Sequence, residues 1–248
     1  YTVTVNKGTG IASVSGAGTY YYGATVNLGY SLTAGYHFSS WTGTYSISSF
    51  TMQAGNVTMT ANGAGNVYYI AYNGNGATSG SMGTTTCTYG QNCTLTGLGY
   101  GRTGYHFNNW NGSNGGSYSN GQTVKNLTTT NGATITMYVN WGANIYYITY
   151  NGNGATSGSM GTTTCTYGQN CTLAGLGYGR TGYHFNNWNG SNGGNYSNSQ
   201  TISNLTTTNG GTITMTAKWK ANTYTVKFNG NGGNKADSIK VTYGSTYG

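Results

Sequence analysis

The chain has 248 residues and a formal net charge of +8, which arises from nine Lys and Arg residues against a single acidic residue, Asp237. One carboxylate excludes paired-carboxylate catalysis, Ser-His-Asp triads and oxygen-ligand Ca²⁺ or Mg²⁺ sites. We therefore predict a protein that is not an enzyme and holds no cofactor or metal. The basic residues are too sparse for a phosphate-binding surface, so no nucleic-acid partner is expected. No apolar run reaches the ~20 residues of a membrane span, so this segment is not predicted to cross a membrane.

A long repeat organises the sequence. Residues 66–143 and 144–221 align without gaps and differ at 12 of 78 positions. Residues 1–65 carry the same landmarks in diverged form, and residues 222–248 start another copy without completing it. We predict a divergent repeat domain at 1–65, repeat domains at 66–143 and 144–221, and an incomplete repeat domain at 222–248. Such duplication is typical of spacers and multivalent binders and unusual for catalytic domains.

Each repeat opens and closes with a strand-like segment in which apolar and polar side chains alternate, as in half-buried strands. The predicted inward positions of the opening strands are Tyr1, Val3 and Val5, then Tyr68, Ile70 and Tyr72, then Tyr146, Ile148 and Tyr150, and finally Tyr224, Val226 and Phe228. The closing strands place Ile135, Met137, Val139 and Trp141, and Ile213, Met215, Ala217 and Trp219, inward. We expect antiparallel pairing and see no long amphipathic helix. The fold class is therefore mainly β.

The motif Gly-Tyr-His-Phe-x-x-Trp-x-Gly occurs once in each of the first three repeats. We predict that its aromatic residues are core anchors; they are Tyr36, Phe38 and Trp41, Tyr105, Phe107 and Trp110, and Tyr183, Phe185 and Trp188. A platform for stacking sugars is the alternative. The intervening His37, His106 and His184 take the outward phase and are expected to be structural or solvated rather than ligands.

Four cysteines lie in the two near-identical repeats at 66–143 and 144–221, which we call the twin repeats. Cys87 and Cys93 of the first twin recur as Cys165 and Cys171 of the second. The equivalent positions are Tyr20 and Val26 in the first repeat and Val241 and Tyr247 in the last, so both cysteines are present or absent together. We predict the disulfides Cys87–Cys93 and Cys165–Cys171, each bridging a hairpin on the inward side. A zinc site would need more soft ligands than each repeat has. Disulfides also predict an oxidising, extracytoplasmic location.

The fourth copy has an opening strand and the segment Val241-Thr242-Tyr243-Gly244 but no motif and no closing strand. Its inward side chains are expected to lack a cover within these residues. One interpretation is that the copy continues in a longer chain, and the other is that a strand from a neighbouring subunit completes it.

The order of these landmarks resembles the Listeria-Bacteroides repeat family, which is related to the internalin B-type B-repeats. The resemblance rests on an opening strand, Asn-Gly-Asn-Gly, Thr-Tyr-Gly, Arg-Thr-Gly-Tyr-x-Phe-x-x-Trp and a closing strand ending in Trp. Residues 1–65 are more similar to divergent members. The resemblance implies small β-grasp-like domains in an elongated array on bacterial cell-surface and secreted proteins, acting as stalk or adhesive modules without catalytic residues. The chain departs from the family by having no Pro and almost no acidic residues.

Together these features predict a non-enzymatic bacterial cell-surface or secreted protein that serves as an extracellular stalk or fibre for attachment. Two alternatives stay open: a self-assembling extracellular filament subunit and a glycan-binding adhesin module. The expected partners are identical chains or cell-surface glycans and proteins. The tyrosines that the strand alignment places outward are scattered along the sequence rather than clustered as a sugar site would require; they are Tyr21, Tyr69, Tyr138 and Tyr147.

Overall fold

The computed structural model describes residues 1–234 and 237–246. Every regular element in these residues is a β-strand, so the predicted mainly-β class is confirmed. Two compact units can be distinguished: Tyr1–Gly101 with Phe107–Asn140, and Arg102–His106 with Trp141–Gly248. We refer to residues 1–65, 66–143, 144–221 and 222–248 as the first to fourth repeats.

The first repeat contains eight strands around one four-stranded sheet. They are β1 (Thr2–Lys7), β2 (Ile11–Ser15), β3 (Gly18–Thr19), β4 (Thr25–Asn27), β5 (Gly29–Leu32), β6 (Tyr36–Gly43), β7 (Ser49–Thr51) and β8 (Val57–Gly65). The main sheet has the order β3-β1-β8-β6, and the pairs β2–β5 and β4–β7 form two small sheets beside it.

The second repeat has nine strands around a five-stranded sheet of order β11-β9-β17-β14-β15. The strands are β9 (Val67–Asn73), β10 (Ser79–Gly80), β11 (Thr85–Thr88), β12 (Asn92–Thr94), β13 (Tyr100–Gly101), β14 (Tyr105–Gly112), β15 (Ser117–Tyr118), β16 (Thr123–Lys125) and β17 (Thr134–Ala143). Two-stranded sheets form from β10 with β13 and from β12 with β16.

The third repeat has the same topology, with the sheet order β20-β18-β26-β23-β24 and the pairs β19–β22 and β21–β25. Its strands are β18 (Ile145–Asn151), β19 (Ser157–Gly158), β20 (Thr163–Thr166), β21 (Cys171–Thr172), β22 (Tyr178–Gly179), β23 (Tyr183–Gly190), β24 (Asn195–Tyr196), β25 (Thr201–Ile202) and β26 (Thr212–Ala221). The fourth repeat contributes an antiparallel pair, β27 (Thr223–Val226) and β28 (Ile239–Thr242).

The opening and closing strands of each complete repeat are neighbours and run parallel. Val3 pairs with Val57, Ile70 with Ile135, and Ile148 with Ile213. The expected antiparallel pairing is therefore wrong for these strands, because alternation of burial reports which face is inward and carries no information on direction. Parallel neighbours need a crossover connection, which here consists of the intervening strands and turns of the same repeat. The chain consequently enters and leaves each repeat at opposite ends of the central strand pair.

The predicted inward phase is confirmed along most of the central strands. Tyr68, Ile70, Met137, Tyr146 and Ile148 are fully buried. Tyr1 is the exception among the complete repeats, because it is exposed where its counterparts Tyr68 and Tyr146 are buried.

The fourth repeat leaves most of its inward side chains uncovered within the described residues. Tyr224, Val226, Phe228 and Ile239 are exposed, whereas Val241 is buried. Tyr247, which aligns with the second cysteine of the twins, lies outside the described residues.

Both predicted disulfides are present, and each links two sheets. Cys87 in β11 belongs to the five-stranded sheet, whereas Cys93 in β12 belongs to the pair β12–β16. Cys165 and Cys171 are joined in the same way in the third repeat. The expectation of a bridge across a hairpin is wrong, because β11 pairs with β9 and β12 pairs with β16. Each disulfide therefore fastens a small sheet to the edge of the main one.

Candidate functional site

The repeats are connected by single asparagine residues. Asn66 is the only residue between β8 and β9, Asn144 the only one between β17 and β18, and Asn222 the only one between β26 and β27. Around each of them the same five side chains and backbone groups meet. We define the first joint as Gly35, Tyr36, His37, Asn66 and Tyr89, the second as Gly104, Tyr105, His106, Asn144 and Tyr167, and the third as Gly182, Tyr183, His184, Asn222 and Tyr243.

Backbone hydrogen bonds of the asparagine hold both sides of a joint. In the second joint the Asn144 N–H donates to the Gly104 carbonyl at 2.9 Å, and the Tyr167 N–H donates to the Asn144 carbonyl at 2.8 Å. The first and third joints make the same two bonds, all at 2.8 Å. The linking residue is therefore fixed to the motif before it and to the turn after it, unlike the freely rotating residue of a flexible linker.

The asparagine side chain ties the joint to a histidine. Asn144 is 6 % exposed, its Nδ2 donates to the Thr207 carbonyl at 2.7 Å, and its Oδ1 lies 2.9 Å from His106 Nδ1. Asn66 is 8 % exposed and bonds to the Thr129 carbonyl and His37 in the same way. A buried amide is costly unless its polar atoms are paired, so these contacts explain why Asn can occupy a buried position.

The hydrogen-bond network also assigns the histidine tautomer. Because Asn144 Nδ2 faces a carbonyl, Oδ1 is the atom that faces His106, and an acceptor there requires a proton on Nδ1. The hydrogen bond to Asn144 therefore fixes the orientation of the His106 ring at the joint.

Two tyrosine rings meet edge to face across each joint. The centroids of Tyr36 and Tyr89 are 5.4 Å apart with an interplanar angle of 79°. The pair Tyr105–Tyr167 has 5.9 Å and 74°, and the pair Tyr183–Tyr243 has 5.6 Å and 73°. Edge-to-face contacts of this kind contribute about 0.5–1.5 kcal/mol beyond burial.

The glycine before the motif tyrosine leaves room for the tyrosine ring of the following repeat. Gly104 has φ +76°, and a Cβ built on it would lie 2.2 Å from the ring of Tyr167. Gly35 and Gly182 have the same sign of φ and equally close rings, Tyr89 and Tyr243. A side chain there would be strained by its backbone angle and would displace the tyrosine, so glycine is required at the joint.

The motif tyrosines are thus located differently from the prediction. Tyr36, Tyr105 and Tyr183 are half-buried and contact the next repeat's tyrosine. Neither Tyr36 nor Tyr183 packs on the core cluster of its own repeat. Each of the three stands at the start of its strand, beside the joint. The core-anchor interpretation therefore does not hold for Tyr36 and Tyr183, and it stays a prediction for Tyr105.

The other motif aromatics do pack in the cores. Trp110 and Trp188 are completely buried and Trp41 is nearly so. Phe38 and Phe185 are half-buried against the cores of the first and third repeats, and Phe107 contacts Trp110 with ring centroids 5.4 Å apart. Trp188 meets Tyr150 and Phe185 with centroids 5.2 and 4.9 Å away. A fully buried indole cannot stack on a sugar without opening the core.

Each twin core contains two buried polar atoms that form no hydrogen bond within the described residues. They are Tyr68 Oη and Trp110 Nε1 in the second repeat, and Tyr146 Oη and Trp188 Nε1 in the third. Burial raises the pKa of Tyr146 above 10.0; the backbone amides of Leu205 and Asn204 oppose the shift without reaching hydrogen-bond geometry. The rings of these side chains stabilise the core by packing. Their buried, unpaired polar atoms reduce that stabilisation.

No metal site is found in the part of the chain that the structure describes: no three His, Cys, Asp or Glu side chains come together there. None of these residues forms a helix with the length and apolarity that a bilayer crossing requires. The four predicted outward tyrosines are exposed, Tyr21 most of all at 90 %.

The joint residues Asn66, Asn144 and Asn222 were missed by the sequence analysis. Their recurrence at the start of each copy, together with a Gly-Tyr-His upstream and a Tyr-Gly downstream, was the available signal. A period-two pattern predicts which residues face inward within one repeat, but it carries no information about contacts between repeats.

Two family models match the chain. Residues 1–64 match the model described as "Divergent InlB B-repeat domain", and residues 146–218 match the model described as "Listeria-Bacteroides repeat domain". The resemblance noted from the landmarks is thus confirmed for these segments. Repeats of both families are typical of bacterial surface proteins and are not enzymes.

Two further proteins are similar to the chain. A protein of Evansella cellulosilytica named "Putative Gly-rich membrane protein" is 28 % identical, over 86 % of this chain and 25 % of that protein. The solved structure of the Bacillus anthracis TIE protein is 13 % identical with a TM-score of 0.34, and the alignment covers 88 % of this chain and 50 % of that one. The chain therefore spans about a quarter of the first protein and half of the second.

Proposed function

We propose that this chain is a spacer of a bacterial cell-surface or secreted protein, whose function is to hold an attachment site away from the surface. The observation that carries the proposal is the joint, which recurs three times with the same backbone bonds, the same His–Asn contact and the same tyrosine pair. Hydrogen bonds and ring contacts on both sides of a one-residue linker restrict bending between the repeats that it connects. A spacer requires such restricted bending.

The topology of the repeats supports the same role. Each complete repeat is, in this proposal, a β-grasp-like module without a helix, centred on its parallel opening and closing strands. Because the chain enters and leaves such a module at opposite ends, successive modules extend the reach of the chain. We infer an elongated array on the order of 100 Å long for these residues, at ~30 Å per module.

The surface chemistry and the disulfides fit an extracellular location. The two disulfides require an oxidising compartment to form and persist. Lys and Arg are rare, and none lies between Lys7 and Arg102, so proteases that cleave after basic residues find few sites in the first hundred residues.

Small-angle X-ray scattering tests the spacer. An elongated array predicts a radius of gyration near 29 Å for a rod of about 100 Å, whereas a compact globule of this length predicts about 18 Å. Replacing Asn66 and Asn144 by short Gly-Ser segments should broaden the distance distribution, while the same segment inserted at the exposed turn of Gly121 serves as the matched control. A compact wild-type chain, or equal distributions for all three proteins, would overturn the proposal.

A self-assembling filament subunit is the second candidate function. The observation that favours it is the exposed apolar face of the fourth repeat, formed by Val226, Phe228 and Ile239, since uncovered apolar strands tend to pair with other chains. Sedimentation velocity distinguishes the two. A filament subunit should form oligomers that disappear in Phe228→Ser, whereas a spacer should sediment as a monomer in both forms.

A further inference from the structure

The first repeat has a turn that matches the receiving half of a joint. Thr2 pairs with Thr19 in the register in which Tyr69 pairs with Thr86. Counting on from these pairs, Tyr22 and Gly23 are equivalent to Tyr89 and Gly90 of the second repeat, and to Tyr167 and Gly168 of the third.

The conformation of the turn agrees with this equivalence. Gly23 has φ +82°, against +84° for Gly90 and +80° for Gly168. The Ala24 N–H donates to the Tyr21 carbonyl at 3.1 Å, as the Gln91 N–H does to the Thr88 carbonyl at 3.1 Å. The turn of the first repeat is therefore already in the shape that the other repeats present to a motif tyrosine.

In contrast to the other turns, nothing among the described residues covers this one. Tyr22 is 69 % exposed, whereas Tyr89 and Tyr167 are half-buried. A Cβ built on Gly23 meets no atom within 4 Å, but one on Gly90 lies 2.7 Å from Tyr36 Oη and one on Gly168 lies 3.1 Å from Tyr105 Oη. The position that a motif tyrosine fills in the joints is open here.

We propose that the turn at Tyr22 and Gly23 is a docking surface for the Gly-Tyr-His end of a further repeat of the same kind. The chain itself shows this occupant on the equivalent turn three times, with an edge-to-face ring contact in every case. A repeat outside these 248 residues is needed, because Tyr36, Tyr105 and Tyr183 already contact the tyrosines of the following repeats. A second copy of the same residues would thus have no motif tyrosine to offer.

The backbone chemistry of the joints specifies how the occupant is attached. In each joint the linking asparagine donates to the motif glycine and accepts from the turn tyrosine, so the complete contact set requires one continuous polypeptide. We therefore commit to a repeat joined through Asn two residues before Tyr1, as Asn66 precedes Tyr68 and Asn144 precedes Tyr146. This inference rests on the joint geometry and is independent of the spacer role.

The test compares the chain with an extended form in which residues 66–145 are placed before Tyr1, so that Asn144 and Ile145 lead into Tyr1. Both proteins are nitrated with tetranitromethane, and each tyrosine is quantified by peptide mass spectrometry. We expect the nitration of Tyr22 to fall several-fold in the extended protein, to the level of Tyr167, which occurs once in both proteins, while Tyr21 remains reactive in both. Equal reactivity of Tyr22 in the two proteins would overturn the proposal.

Two controls keep the result specific. Tyr105→Ala in the added copy removes the motif ring and should restore the reactivity of Tyr22; an unchanged reactivity of Tyr167 shows that the remaining chain is folded. Addition of an excess of the unextended chain should not protect Tyr22, and protection by it would contradict the requirement for a continuous polypeptide. Protection by soluble glycans, with none in the extended protein, would assign the turn to sugar binding instead.

Discussion

The first and third repeats differ in the contact at one pair of equivalent positions in the core, but they have the same joint. In the third repeat Cys165 and Cys171 are covalently bonded. In the first, the equivalent positions hold Val26, which is fully buried, and Tyr20, which packs on the core and donates its hydroxyl to the Gly16 carbonyl at 3.1 Å. An apolar and hydrogen-bonded contact therefore takes the place of a covalent bond. We conclude that the disulfide serves stability and is exchangeable.

The joints vary much less than the cores. The first and third joints have the same His–Asn contact, at 3.0 and 2.8 Å, and the same tyrosine geometry. They differ in two respects. Arg180 lies 4.2 Å from the ring centroid of Tyr183, whereas Thr33 occupies the equivalent position before Tyr36. Asn66 Nδ2 donates to the Thr129 carbonyl, whereas Asn222 Nδ2 donates to Tyr224 Oη. What is retained between these diverged repeats is the connection, whereas the covalent bond of the core is not.

The largest expected effect concerns the buried tryptophans. Trp188→Ala should lower the stability of the third repeat by about 3–5 kcal/mol, because it removes a completely buried indole. Trp41→Ala should do the same in the first repeat, and Trp219→Ala, at a half-buried position, should cost less. Hydrogen exchange of the β26 and β8 amides measures each repeat separately. A small loss of stability with loss of glycan binding would instead identify a ligand platform.

Removing the disulfides should lower the stability of the two disulfide-containing repeats and leave that of the first repeat unchanged. The doubly substituted Cys165→Ala/Cys171→Ala protein should lose about 2 kcal/mol in the third repeat, since the bond closes a short loop, and the first repeat should keep its stability. Peptide mapping without reductant should find Cys87 linked to Cys93 and Cys165 to Cys171. A cross-link between Cys87 and Cys165, or zinc bound to the reduced protein, would contradict the assignment.

Breaking the asparagine contact should weaken the second joint while both adjoining cores persist. Asn144→Ala should cost about 1–2 kcal/mol, because the Thr207 carbonyl and His106 lose their partner in a buried setting. A double-mutant cycle with His106→Ala isolates the His–Asn term. The matched control is Ala at an exposed asparagine such as Asn229. Equal losses of stability at Asn144 and Asn229 would contradict a stabilising role of the joint.

The smallest effect is expected at the Tyr146 hydroxyl. Tyr146→Phe should leave stability at neutral pH unchanged or slightly raised, because the buried Oη makes no hydrogen bond to the residues that the structure describes. Burial raises the pKa of Tyr146 above its ordinary 10.0, so the folded state favours the neutral phenol, and its stability contribution is lost as the pH rises past 10.0. The Phe variant should therefore lose less stability than wild type in an alkaline titration followed by urea unfolding.

The sequence predicted the content of the repeats better than their connections. Alternation in segments such as residues 68–72 located the inward side chains, and the paired cysteines indicated their partners. The parallel pairing of β9 with β17 and the separation of Cys87 and Cys93 into two sheets could not be predicted, because both depend on which distant strands meet. Tyr36 was misplaced for the same reason, since its contact Tyr89 belongs to another repeat.

Residual dipolar couplings of the backbone amides test the central claim most directly, since they report whether two bodies share one orientation. The account predicts that a single alignment tensor fits the amides of β8 and β9, on the two sides of the first joint, together with the cores they belong to. Replacing Asn66 by a short Gly-Ser segment should divide this fit into two tensors while each core keeps its own couplings. Two unequal tensors in the wild-type chain would contradict a stiff joint and, with it, the spacer.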